Sequence, residues 1–91
     1  MQAISFPPGI PQLVMLESLE SLSIGDGYLY RATDGRFLHL EPGASDSLKP
    51  LNPKPGEPFY ICRRQERNTG WYWDMWLTPQ SEQLRERKEA A

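Results

Sequence analysis

The chain holds one cysteine and one histidine. A single cysteine excludes an internal disulfide, and one Cys with one His cannot close a structural zinc site without unusual carboxylate help. Net charge is nearly missing as well: ten bases against twelve acids leave −2. No strong overall field therefore draws the chain to nucleic acid or to an anionic membrane. Long apolar stretches are absent, since no fully apolar run exceeds residues 13–16, far short of a membrane span. The first twelve residues, MQAISFPPGIPQ, have neither the basic residues nor the apolar core of a signal peptide. Phosphate-cradling GxGxxG and GxxxxGK patterns do not occur. Asp26, Asp34, Asp46 and Asp74 fall on separate segments without calcium-loop spacing. These absences lead us to expect no cofactor, no metal, no membrane association and a cytoplasmic setting.

What is present is aromatic. Ten Phe, Trp and Tyr residues stand in 91, against 38% hydrophobic and 24% charged residues overall. The core is lean, but the content is above that of a disordered chain because each aromatic buries a large area. The length suits one small domain over residues 1–91. Within it, residues 1–11 contain three prolines and read as an extended arm.

Residues 12–22, QLVMLESLESL, place Leu13, Leu16, Leu19 and Leu22 three apart with Met15 on the same arc. That spacing predicts a short amphipathic helix; a strand over residues 13–17 is the rival, permitted by the unbroken apolar run. Residues 28–41 read as a hairpin turning on Asp34-Gly35, the sequence preferred for a two-residue type I′ turn. That register pairs Tyr30 with His39 and Leu29 with Leu40. Tyr28, Tyr30, Phe37 and His39 then share one face, and Leu29, Leu38 and Leu40 the other. Residues 42–58 contain five of the nine prolines and read as a proline-rich loop, chiefly a spacer. A second hairpin spans residues 59–77, with a loop through Asn68, Thr69 and Gly70 that sets Arg64 opposite Asp74. Phe59, Ile61, Trp73, Met75 and Leu77 then face the core, while Tyr60, Cys62, Tyr72 and Trp76 face away. Thr78 followed by Pro79 opens a charged terminal helix or tail over residues 79–91. The expected fold is α+β: a small antiparallel sheet of two hairpins, an N-terminal amphipathic helix and a charged C-terminal helix.

Chemistry is sparse. The only nucleophile–base couple is Cys62 with His39, and an apolar filler and a sheet-face residue are the commoner roles for these positions. An enzyme that depends on this couple is therefore the remote reading. The informative cluster is Arg63, Arg64, Arg67, Trp71, Tyr72, Trp73 and Trp76. Three tryptophans within six residues cannot all lie on one strand face, because side chains alternate. Either both faces are covered or one aromatic set is left for a partner. Trp, Tyr and Arg dominate binding hot spots. The expectation is a non-catalytic interaction module that binds a protein partner or a second copy of itself. Single-stranded nucleic acid, stacking on Trp and Tyr beside Arg, is the alternative.

Overall fold

The computed structural model describes residues 2–67 and 70–90, with side chains through residue 87. Its elements, in chain order, are β1 (Gln12–Val14), β2 (Leu22–Ile24), β3 (Gly27–Arg31), β4 (Phe37–Leu40), α1 (Pro42–Leu51), β5 (Phe59–Glu66), β6 (Gly70–Leu77) and α2 (Pro79–Ala90). The strands form two three-stranded antiparallel sheets, ordered β2-β3-β4 and β1-β5-β6. They share one core, in which Ile4, Val14, Leu16, Tyr30, Leu38, Leu40, Phe59, Ile61 and Leu77 are buried together. The class is thus α+β, but the expected arrangement is corrected in three places: there are two sheets, no N-terminal helix, and a helix in mid-chain.

The expected helix over residues 12–22 is two strands and a loop. Within residues 12–16 exposure alternates: Val14 and Leu16 are each 1% exposed, while Leu13 and Met15 point outward. An unbroken apolar run satisfies both a 2-residue and a 3.6-residue period, so the local pattern cannot decide. A distant partner decides it, because β5 supplies a ladder with Val14 opposite Phe59 and Leu13 opposite Tyr60. Past β1 the chain crosses to the other sheet, where Leu16 bridges Ala32. Thr33 donates its N–H to Met15 O (2.9 Å) and Glu17 donates to Arg31 O (3.0 Å). In the N-terminal arm, residues 2–4 run parallel to β4, with Ile4 N–H donating to Phe37 O at 2.8 Å, and a turn follows at Pro8 and Gly9 (φ 77°), where Ile10 N–H donates to Pro7 O at 3.2 Å.

The proline-rich segment is not a spacer, since most of it is α1. Two of its five prolines lie within the helix and the other three follow it. Pro42 occupies the first helical turn, where its missing N–H is no loss, and Pro50 lies in the last turn, where it forgoes only the one bond to the carbonyl four residues back before the helix ends. Asn52 ends the helix in the left-handed conformation (φ 46°), donating its N–H to Leu48 O at 3.0 Å. Ala44, Ser45 and Leu48 make the buried face, with Leu51 packed beside them. Tyr30 reaches this helix from β3, its hydroxyl 2.7 Å from Ser45 Oγ in a buried hydrogen bond.

Both hairpins form, in registers other than expected. In β3–β4, Leu29 pairs with His39 and Tyr30 with Leu38. Asp34 lacks the positive φ that a type I′ turn requires; Gly35 carries it at 87°. The connection is therefore Thr33-Asp34-Gly35, closed by Ala32 N–H donating to Arg36 O (2.9 Å). The Asp34 carboxylate accepts from Arg36 N–H and Nε. One residue of slip exchanges faces, so Tyr30, Leu38 and Leu40 point inward while Leu29, Arg31, Phe37 and His39 point outward. In β5–β6 the ladder closes at Glu66 opposite Gly70, placing Arg64 opposite Tyr72 and Cys62 opposite Asp74. This differs from expectation by two residues, which leaves the faces as assigned. Asn68 and Thr69 of the expected loop lie outside the described residues.

The C-terminal helix starts at Thr78 and Pro79 as expected. Ser81 N–H donates to Thr78 Oγ1 (3.2 Å), and Ser81 Oγ donates to Pro58 O (3.1 Å). Arg85 fastens the helix to the body: Nε donates to Glu57 Oε2 (2.9 Å) and Nη2 to Asn52 O (2.8 Å). That pairing holds the Glu57 carboxyl below its ordinary range, against the opposing effect of desolvation.

Candidate functional site

The second sheet turns one face to the core and presents a row of large side chains on the other. The ladders place Leu13 opposite Tyr60 and Tyr60 opposite Trp76. One side chain from each of β1, β5 and β6 thus lies in register across the sheet. Leu13 is 47% exposed, and Tyr60 and Trp76 are half-buried. The Tyr60 and Trp76 rings are 5.6 Å apart between centroids and inclined by 32°. Next along the strands come Cys62 and Asp74, then Arg64 and Tyr72. Arg64 reaches diagonally to Asp74, Nε to Oδ2 at 3.1 Å, and its guanidinium lies 5.9 Å from the Trp76 ring centroid. The hydrogen bond to Asp74 raises the Arg64 pKa above its ordinary value. Beyond Tyr60 a groove opens between Pro58 and the start of α2, lined by Leu13, Pro58, Tyr60, Thr78, Pro79 and Gln80.

Strand alternation divides the seven residues singled out in the sequence. Arg64, Tyr72 and Trp76 share this outer face. Arg63, Trp71 and Trp73 project to the opposite side, the core side, toward the hairpin tip. There the Arg63 guanidinium lies over Trp71, 4.2 Å from the ring centroid, and its Nε is buried without a hydrogen-bond partner. Trp73 meets Phe6 of the N-terminal arm edge-on at 5.1 Å, while Trp71 stays 45% exposed. Arg67 lies exposed at the turn itself. The seven do not make a single patch. None of the protein-family models, curated proteins or solved structures compared with the chain matches it. Function must therefore be argued from this geometry.

Two features escaped the sequence reading. Leu13 belongs to the aromatic row, but its strand was read as helix. The first sheet also has an outer face, formed by Leu22, Ile24, Leu29, Arg31, Phe37 and His39. The one-residue slip in the expected hairpin concealed it. Cys62 and His39 are not brought together. Each projects away from the shared core on a different sheet, with Cys62 fully buried and His39 exposed. Among the described residues, no group of three or more His, Cys, Asp and Glu side chains could hold a metal ion. No helix among them is long and apolar enough to cross a membrane.

Proposed function

We propose that the chain is a non-catalytic interaction module, binding a protein partner through the outer face of β1, β5 and β6. The observation that carries this reading is the row Leu13, Tyr60 and Trp76, aligned across three strands and left partly open to solvent. Half-exposed Trp, Tyr and Arg side chains at the centre of a polar rim are the composition of a protein-binding hot spot. A second copy of the chain is one partner such a surface would accept. Nucleic acid is supported less well. Arg64 is engaged by Asp74 and Arg63 by Trp71 on the opposite side, so few cations are left to neutralise phosphates beside exposed rings. The unpaired thiol of Cys62 suits a reducing compartment such as the cytoplasm.

Selection of displayed random peptides against the full chain tests the reading. Peptides retained by the wild type and lost on Trp76→Leu support it. So does a dimeric mass by light scattering that becomes monomeric in that variant. A monomer that retains no peptide overturns it. Salt-sensitive binding of a labelled oligonucleotide, weakened in an Arg64→Ala, Arg67→Ala variant, would replace it with the nucleic-acid reading.

A further inference from the structure

The outer face of the second sheet has a definite hydrogen-bonding polarity. Neither the Tyr60 hydroxyl nor the Trp76 indole N–H has a hydrogen-bond partner among the described residues. Both can donate from the rim of an aromatic ring, the indole N–H as a donor only and the hydroxyl as an acceptor too. The acceptors nearby are each engaged at least once, Asp74 through one of its two oxygens. Asp74 takes the Arg64 Nε–H, and Pro58 O takes the Ser81 hydroxyl. Thr78 spends its hydroxyl proton on Ser81 Oγ. The groove walls are Pro58 and Pro79, whose rings fix the backbone and offer no N–H. Gln80 at the far end adds an exposed amide. Along the row itself the surface therefore offers ring faces and two ring-edge donors, with the half-exposed Asp74 carboxylate set one pair further along the strands and bound through Oδ2 to Arg64.

A segment that complements such a surface is rich in acceptors, poor in donors and flat-sided. A polyproline II strand is all three. It makes no internal hydrogen bonds, so each carbonyl is free, and each proline removes an N–H. The spacing agrees as well. Neighbouring strands lie about 4.8 Å apart, which sets Leu13 and Trp76 about 9–10 Å apart across the sheet. One polyproline II turn advances about 9 Å. A ligand that crosses the strands would thus bring a proline ring over Leu13 and the next in phase over Trp76, with Tyr60 between them. Other occupants fit less well. An acidic peptide would need a free cation where Arg64 is already paired, and an added strand would pair at a sheet edge, not lie across its face.

We propose that the partner's contact element is a proline-rich segment in polyproline II conformation, docked across Leu13, Tyr60 and Trp76 and ending in the groove between Pro58 and Pro79. The inference rests on the reading that this face binds protein, and it names the chemistry of the partner.

Amide and indole NMR spectra of the full chain, titrated with a blocked decaproline peptide, test it. The expected result is saturable movement of the Trp76 indole signal with the amides of Leu13, Tyr60 and Gln80. An alanine-based peptide of equal length should cause none. Tyr60→Leu and Trp76→Leu should each weaken binding about tenfold or more, a change of about 1.4 kcal/mol. Tyr60→Phe, which removes only the hydroxyl, should weaken it less. Unchanged spectra at millimolar decaproline overturn the proposal, as does affinity undiminished in both Leu variants, which would put the contact elsewhere. If displayed peptides selected on the wild type depend on Trp76 but contain no prolines, this inference fails and the protein-binding reading stands. If no peptide is selected and the chain is a monomer, both fail.

Discussion

The two sheets share a core and differ in what they turn outward. The first presents Leu22, Ile24, Leu29 and Phe37 with Arg31 and His39 at the margins. Leu22 is 67% exposed on a three-residue edge strand. Its directional contacts are few, with Arg31 lying 5.8 Å from the Phe37 ring centroid. The second sheet presents an aromatic row held by a ring–ring contact, an ion pair and a cation–π contact. Exposed apolar area alone would rank the first sheet as the better binding surface. Preorganisation ranks the second, because side chains already fixed in place lose less entropy when a partner binds.

Substitutions can break or sharpen this contrast. The largest effects should fall where the sheets are not distinct at all. Phe59→Ala on β5 and Leu38→Ala on β4 should each cost about 3–5 kcal/mol in urea unfolding. Each should unfold both sheets in one transition; loss of one sheet's NMR signals alone would show that the core is not shared. Next comes a change confined to the first sheet. A Cβ on Gly27 would stand 2.5 Å from Leu40 O, a backbone atom, and 3.0 Å from the His39 ring. Gly27→Ala should cost about 1–3 kcal/mol, with amide shifts concentrated in β2–β4.

A smaller, pH-dependent effect belongs to α2. The folded state depresses the Glu57 pKa through Arg85, so the unfolded chain binds the proton more readily. The stabilisation is complete above the ordinary glutamate range and is lost as pH falls through the depressed value. Glu57→Gln should lower stability by about 1 kcal/mol at neutral pH, and thermal melts should converge with the wild type in acid. Smallest in stability should be the outer faces themselves. Leu22→Ser with Ile24→Ser, and separately Trp76→Leu, should leave the melting temperature nearly unchanged. Only the Trp76 change should abolish peptide retention. The opposite assignment would transfer the site to the first sheet.

How much of this was legible depended on whether the deciding interaction was local. The cap at Thr78, the hairpin positions and the inward set Phe59, Ile61, Trp73, Met75 and Leu77 rest on neighbouring residues and alternation, and they could be read. The second hairpin survived a register error because a slip of two residues preserves faces. The first did not survive a slip of one, since Asp34-Gly35 serves a two-residue or a three-residue turn and only the conformation of Asp34 tells them apart. Residues 42–51 carried a readable apolar face in Ala44, Leu48 and Leu51, but it was obscured by counting prolines without asking where each would sit. Residues 12–16 were undetermined locally, because their fate rests on β5, more than forty positions away. The aromatic row followed the same division: Tyr60 and Trp76 were correctly placed on one face, and Leu13 was lost with its strand.

That long reach between β1 and β5 also orders assembly in time. A chain emerging from its N-terminus can complete β2, β3, β4 and the arm beside them once residue 40 is available. Val14 must wait for Phe59, whereas Leu16 already meets Ala32 of the first sheet. Closing the widely separated pair of Val14 and Phe59 carries a large loop entropy. When it follows the main barrier, Val14→Ala accelerates unfolding and leaves the folding rate almost untouched, a signature that stopped-flow kinetics would reveal.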